Sequence, residues 1–204
     1  MKRLLFIATL AASASACVNG NNPVQLLDAR PVDSKTCERS EKAILRGSLN
    51  YNVNTHYITT FSVFSPLTEN TTSGSGTGFY GEEVDLSYTA KKVTTTFTDE
   101  SLPILYVVPA GAQPGDSFFT VDLIGDEARK KLEAVVPSEP DSMTLLVTIK
   151  LKGKLASGKA AETNEVTFPI EITRGASCPP NQTPMPGAED KCFPGQDGVA
   201  FSCG

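Results

Sequence analysis

The sequence predicts an all-β chain: a β-sandwich, immunoglobulin-like in outline, with one short helix and a disulfide-stapled C-terminal appendage. Three observations predict it. Met143, Leu145, Val147, Ile149 and Leu151 are apolar at every second position, and Val166, Phe168, Ile170 and Ile172 repeat that period beyond Ser157-Gly158-Lys159. Paired strands with one buried face have this period. Seven or eight such segments, rich in β-branched and aromatic residues, are separated by Gly, Pro and Asn turns. Finally, residues 175–204 hold three cysteines, five prolines and five glycines, too little apolar surface for a core of their own. The chain has no Trp, so the Cys–Trp–Cys core of true immunoglobulin domains is absent.

Residues 1–16 read as a signal peptide: Lys2-Arg3, an apolar run from Leu4 to Ala12, then Ala14-Ser15-Ala16. Cys17 follows at once, and the order resembles a bacterial lipoprotein signal, whose small-residue box ends in the cysteine that is lipidated. It departs from that pattern at Ala14, where the family usually has Leu. Parity agrees with lipidation of Cys17, because the other four cysteines, Cys37, Cys178, Cys192 and Cys203, form an even set suited to disulfides in an oxidising compartment. Removing Lys2 and Arg3 leaves 16 basic against 23 acidic residues, a net charge of −7. That balance excludes an electrostatic nucleic-acid footprint and is a poor match for anionic lipid head groups, so attachment to a membrane is expected through acyl chains on Cys17.

Residues 17–36 read as lipid anchor and flexible tether, with Leu26-Leu27 the one apolar pair that could dock. The β-sandwich is placed at 37–174. Its strands begin with alternation over Ala43, Leu45, Gly47, Leu49, Tyr51 and Val53, then His56–Phe64 after the Asn52-Val53-Asn54 turn. A third covers Val84 to Ala90, a fourth Val93, Thr95 and Phe97, a fifth the apolar run Leu102–Val108, and a sixth Phe118–Ile124. Gly125-Asp126 starts a helix with Ala128, Leu132 and Val135 on one face, and Pro137 ends it. The closing hairpin is expected to turn at Gly158-Lys159, pairing Leu151 with Val166, Ile149 with Phe168, Val147 with Ile170 and Leu145 with Ile172, with Lys152 opposite Glu165.

In the appendage, Asp197-Gly198 is a type I′ turn signal, with Cys192 and Cys203 equidistant from its centre. That symmetry points to a Cys192–Cys203 disulfide, although Pro194 lacks the amide the register wants, and it leaves Cys37 to pair with Cys178. Phe168-Pro169-Ile170-Glu171-Ile172, Cys178, Cys192, Gly195-Gln196-Asp197-Gly198 and Cys203, together with the signal segment, resemble a group of uncharacterised lipoproteins of myxobacterial type. The resemblance covers roughly the last 60 residues plus the signal and implies a lipid-anchored β-domain, with no activity attached.

No constellation singles out chemistry. Gly76-Thr77-Gly78-Phe79-Tyr80-Gly81 matches G-x-G-x-x-G but precedes a strand, so it reads as a loop entering that strand. His56 is the only histidine and no nucleophile elbow accompanies it. The cysteines lack C-x-x-C spacing, and Glu82, Glu83 and Asp85, like Asp190 and Asp197, lack that of a calcium loop and read as solvated surface. No cofactor or metal ligand is assigned. Asn70-Thr71-Thr72 and Asn181-Gln182-Thr183 read as plain loops, and Phe61, Phe79, Tyr80 and Tyr88 as core rather than an aromatic platform. The expected protein is a non-enzymatic, lipid-anchored module of the Gram-negative envelope, outer membrane included, with an envelope protein or glycan as partner and no nucleic acid. The alternatives are a carbohydrate- or peptide-binding sandwich and a carboxylate-dependent hydrolase.

Overall fold

The computed structural model describes residues 22–68 and 78–204. The expected signal segment 1–16, Cys17, Asn70-Thr71-Thr72 and Gly76-Thr77 lie outside the described residues. The strands are β1 (Gln25–Pro31), β2 (Gly47–Asn50), β3 (Ile58–Phe64), β4 (Gly78–Lys91), β5 (Glu100–Pro109), β6 (Ser117–Asp122), β7 (Met143–Leu155), β8 (Ala160–Glu162), β9 (Val166–Thr173), β10 (Pro184–Pro186) and β11 (Phe201–Cys203). The helix α1 spans Asp126–Val135.

Two sheets pack face to face. The smaller has the order β1-β3-β6 and the larger β2-β9-β7-β4-β5, with β8 extending β7. Every neighbour is antiparallel except β2, which runs parallel to β9. Phe61, Val63, Phe119 and Val121 of the smaller sheet share one buried cluster with Val84, Leu86, Leu145, Val147, Ile149, Phe168 and Ile170 of the larger. The alternation expected for β7 and β9 is therefore the alternation observed, and the fold is the all-β sandwich that the sequence predicts.

Part of the span read as a tether belongs to the sandwich. Residues 25–31 form β1, because Val24, Leu26 and Ala29 are buried, and Asn164 holds Leu26 by accepting from its N–H (2.8 Å) and donating to its carbonyl (2.9 Å). Three apolar side chains facing one way suffice to add a strand beside β3. The first expected strand shrinks to Gly47–Asn50, and Leu45 stands 92% exposed. The fourth is absent: Lys92 takes a left-handed φ of +70°, and the return to β5 is a loop pinned by Phe97 against Tyr88, with ring centroids 6.1 Å apart.

The hairpin keeps its faces but slips by two residues. Ile149 pairs with Val166, Val147 with Phe168, Leu145 with Ile170 and Met143 with Ile172. The loop has three residues instead of two: the Leu155 N–H donates to the Lys159 carbonyl (2.9 Å), and Gly158 sits at φ +82°. That is the type I turn with a left-handed third residue. Beyond it, the register between β7 and β8 gives way to that between β7 and β9 through one extra residue near Asn164. Lys152 consequently faces Glu162 and bonds to Asp85, while Lys150 lies between Glu162 and Glu165.

α1 forms as expected, with Ala128 and Leu132 buried. Gly78 opens β4 where a side chain could not fit, since a Cβ there would lie 2.5 Å from the Val108 carbonyl oxygen. This motif glycine therefore serves strand packing.

Candidate functional site

The sandwich has two unlike ends. At the entry end, the start of β1 lies beside the end of β3, and the starts of β4 and β6 beside the ends of β5, β7 and β3. The far end carries α1, the turn between β2 and β3, and residues 175–204. Polar chemistry concentrates at the far end.

α1 has no side-chain cap of its own, because its N-cap is Gly125. Glu100, at the start of β5, supplies one: its carboxylate accepts from the Glu127 and Ala128 amides, both at 3.1 Å. A carboxylate at a helix N-terminus satisfies free N–H groups and the helix dipole together. A Cβ on Gly125 would lie 2.4 Å from a Glu100 oxygen, so a side chain there would push this carboxylate cap aside. Tyr88 completes the joint, donating to Glu100 (3.3 Å) and accepting from the Gly125 amide (3.1 Å). Burial is the main influence pushing the Tyr88 phenol above its ordinary value.

Asp122, at the end of β6, organises the next joint. Its Oδ1 accepts from the Tyr57 and Ile124 amides (3.1 and 3.0 Å), and its Oδ2 lies 2.5 Å from His56 Nδ1 and 3.1 Å from Arg129 Nη1. Arg129 also donates to the Ile124 carbonyl (2.7 Å) and pairs with Asp126. Arg129 Nη1 also lies 2.9 Å from His56 Nδ1, so the arrangement ties α1 to both strands. Beside it runs a polar groove of about 530 Å³, lined by Tyr51, Asn52, Arg129, Lys130, Glu133 and Arg174 among others. Its cations are already engaged: Arg174 donates to Asn52 (3.2 Å) and to the Glu133 carbonyl (2.5 Å), and Lys130 to Glu127 (2.6 Å).

Residues 175–204 form a clasp over the open side between the sheets. Asp197 and Gly198 have φ of +51° and +77°, as the type I′ signal requires, and the Val199 amide donates to the Gln196 carbonyl (2.9 Å). The turn lies along β2, whose Asn50 amide donates to the Gly195 carbonyl and whose Ser48 carbonyl accepts from the Asp197 amide, both at 2.8 Å. Gln196 reaches the other sheet. β1 ends where Pro31 pairs with Thr59, and the next residue on β3, Ile58, finds the Gln196 amide instead, at 3.0 Å for its N–H and 2.7 Å for its carbonyl. One buried side chain thus continues a strand that has run out and covers an edge.

Asp197 points its carboxylate inward. It accepts from the Ser48 amide (2.9 Å), and the hydroxyl of fully buried Tyr57 lies 3.0 and 2.9 Å from its two oxygens. Desolvation raises the Asp197 carboxyl above its ordinary value, against the lowering effect of those bonds. The same burial, with the facing carboxylate, pushes the Tyr57 phenol up. Comparisons with the profiles of known protein families, with curated proteins and with solved structures return no match.

The cysteines pair differently from expectation. The disulfides are Cys37–Cys192 and Cys178–Cys203, with Cα separations of 5.8 and 5.6 Å. The turn at Asp197-Gly198 exists, but its arms do not run on as a hairpin: Pro194 has no amide to give, and Phe193 bends the chain at φ +51°. β11 pairs with β10 instead, setting Cys203 opposite Pro184 and within reach of Cys178. Cys192 meets Cys37 because the loop before it docks on residues 33–37, with the Lys191 amide on the Ser34 carbonyl (2.7 Å) and Ser34 Oγ on Asp190 (2.5 Å).

Glu82, Glu83 and Asp85 stay on the surface, paired with Lys154, Ser101 and Lys152. Asp190 and Asp197 belong to different joints; Asp197 is exposed as a residue, as expected, but turns its carboxylate onto the Ser48 amide and the Tyr57 hydroxyl. Asn181 occupies a left-handed turn position. Phe61, Phe79 and Tyr88 are core, whereas Tyr80 is 40% exposed. Sequence reasoning missed Gln196, Tyr57, Asp122 and Arg129; only the turn signal at Asp197-Gly198 pointed near them.

Proposed function

We propose that this chain is a lipid-anchored, non-enzymatic interaction module of the Gram-negative envelope, attached through acyl chains on Cys17 and presenting its far end to an envelope protein. Two disulfides already mark it as a protein of an oxidising compartment, extracellular or periplasmic. Among the described residues no helix is long and apolar enough to cross a membrane. The observation that carries the reading is the polarity of the molecule. The chain segment from Cys17 joins the sandwich at one end, and the helix, polar groove and clasp stand at the other. His56 and Asp122 are committed to structural joints, and Glu82 and Asp85 are paired with lysines, which supports a surface for recognition over one for catalysis. The aromatic rings suited to stacking on a sugar are mostly buried, which favours a protein partner over a glycan.

Cys17→Ser tests the anchor: metabolic acyl labelling and membrane sedimentation should both be lost, and an unlabelled wild-type protein with an unmodified Cys17 overturns the reading. For the far end, a photocrosslinker at Lys130 on the membrane-bound protein should give an adduct with one envelope protein. Lys130→Glu with Glu133→Lys should abolish capture of that same protein by the untagged surface. A photocrosslinker at Asp85 on the sheet face is the control, and equal capture from both positions contradicts the assignment.

A further inference from the structure

Leu105 is 94% exposed, Val107 49% and Tyr80 40%, the largest apolar exposure in the sandwich apart from Leu45. All three lie on the outer face of the larger sheet near the entry end. Val107 pairs with Tyr80, and Tyr80 in turn with Lys154, whose ammonium holds Glu82 at 2.8 Å, so a row running across three strands reads apolar, aromatic and ion-paired. Leu105 stands on the same edge strand, with Pro109 beyond.

We infer that this patch is a second membrane contact, seated in the interfacial layer of the bilayer to which Cys17 ties the chain. The inference rests on the anchored reading above and adds the orientation of the domain. Covalent reach supports it. Because β1 belongs to the sandwich, only five peptide links separate Cys17 from Asn22, a span of at most about 18 Å. The Pro23 carbonyl accepts from Ser65 Oγ, the Ser65 amide donates to the Ala112 carbonyl, and Gly78 pairs with Pro109, so the entry point and the end of β5 share one end of the molecule. A lipid on Cys17 therefore holds this end against the head groups.

The chemistry fits that neighbour better than a protein strand. β5 is the edge of its sheet, but Pro103 and Pro109 take two amide donors out of it, which discourages strand addition by a second copy. A tyrosine and a lysine flanking short aliphatic side chains suit the boundary between acyl chains and head groups, where each keeps its polar tip in water. The acyl chains give the affinity, and the patch sets which face looks outward.

The absence of Trp from the chain makes the test clean. Single-probe variants Leu105→Trp and Leu45→Trp are prepared as the mature chain and coupled through the Cys17 thiol to a maleimide-bearing lipid. The vesicles are phosphatidylethanolamine and phosphatidylglycerol doped with brominated phosphatidylcholine. The Leu105→Trp emission should shift to the blue and fall about twofold or more in brominated vesicles, while Leu45→Trp stays unshifted and unquenched, as insertion to the acyl boundary requires. Equal, water-like emission from both probes overturns the inference. So does a Leu105→Trp probe already shielded without vesicles in proportion to protein concentration, which would assign the patch to a second copy. Coupling fixes the attachment chemically, so a negative result here is distinct from failure of acylation in the cell, which the labelling of Cys17 reads separately.

Discussion

In β7 and β9 every second side chain enters the core, whereas in residues 175–204 Gln196 is the only buried residue. The sandwich body is held by apolar area; the clasp is held by two disulfides, one amide side chain and one inward carboxylate. Burial tolerates a shifted register so long as faces are kept, which is why the two-residue slip of the hairpin costs the core nothing. Polar joints have no such tolerance, because each donor needs its own acceptor. The body should therefore lose stability in proportion to volume removed, and the clasp through single groups.

The largest expected effect is in the body. Phe168 is 3% exposed and packs on Tyr57 with ring centroids 5.8 Å apart, so Phe168→Ala should cost about 3–5 kcal/mol by chemical denaturation. Its neighbour Thr167 faces solvent and bonds to Thr148, and Thr167→Ala should cost about 1 kcal/mol or less. Similar losses from the two would refute the assignment of faces.

Next comes the long disulfide, which closes a separation of 155 residues. Replacing Cys37 and Cys192 together by Ser should cost about 2–4 kcal/mol while leaving the sandwich folded. Hydrogen exchange at the amides of Ser48, Asn50 and Ile58 should quicken ahead of exchange in β7. If β7 opens in step with them, the clasp and body are one unit and the comparison fails.

Gln196→Ala leaves both backbone groups of Ile58 without their partner and should cost about 1–3 kcal/mol, whereas Gln196→Glu keeps the acceptor for the N–H but sets a buried carboxylate against the Ile58 carbonyl oxygen and Asp197, and should cost at least as much at neutral pH. A loss below about 0.5 kcal/mol for the Ala variant would mean that water replaces the side chain.

The smallest effect is one of pH. The Asp197 carboxyl is raised by desolvation, so folding favours its protonated form. Its contribution to stability is therefore greatest below the ordinary carboxyl range and falls as pH rises through its raised value. Asp197→Asn should flatten that descent, and its advantage over wild type should grow from acid to neutral pH. Asp33 has the opposite sign, since hydrogen bonds donated by the Thr36 and Lys35 amides lower it. Its support is present above the ordinary carboxyl range and lost as pH falls through its lowered value. An Asp197→Asn difference that shrinks toward neutral pH would contradict the inward carboxylate.

Much of the body was legible because strand burial writes itself at period two: the apolar positions of β7, β9 and β4 and the helix face at Ala128 and Leu132 are where the pattern puts them. The period does not carry turn length, so the third loop residue before Lys159 escaped. Nor does it reveal that Leu26 and Ala29, spaced by three across a bulge, belong to a strand. The far end was barely legible. Asp122, Arg129 and Gln196 are ordinary polar residues until folding brings distant partners to them, and turn symmetry about Asp197-Gly198 misled on the cysteines because β10 competed for Cys203.

Non-reducing peptide mapping of the protein extracted from membranes tests the account most directly, because it reads the anchor and the clasp in one digest. The expected map has a lipid-modified peptide beginning at Cys17, a Cys37 peptide joined to a Cys192 peptide, and a Cys178 peptide joined to a Cys203 peptide. An unmodified Cys17, or Cys37 joined to Cys178 with Cys192 joined to Cys203, would contradict it.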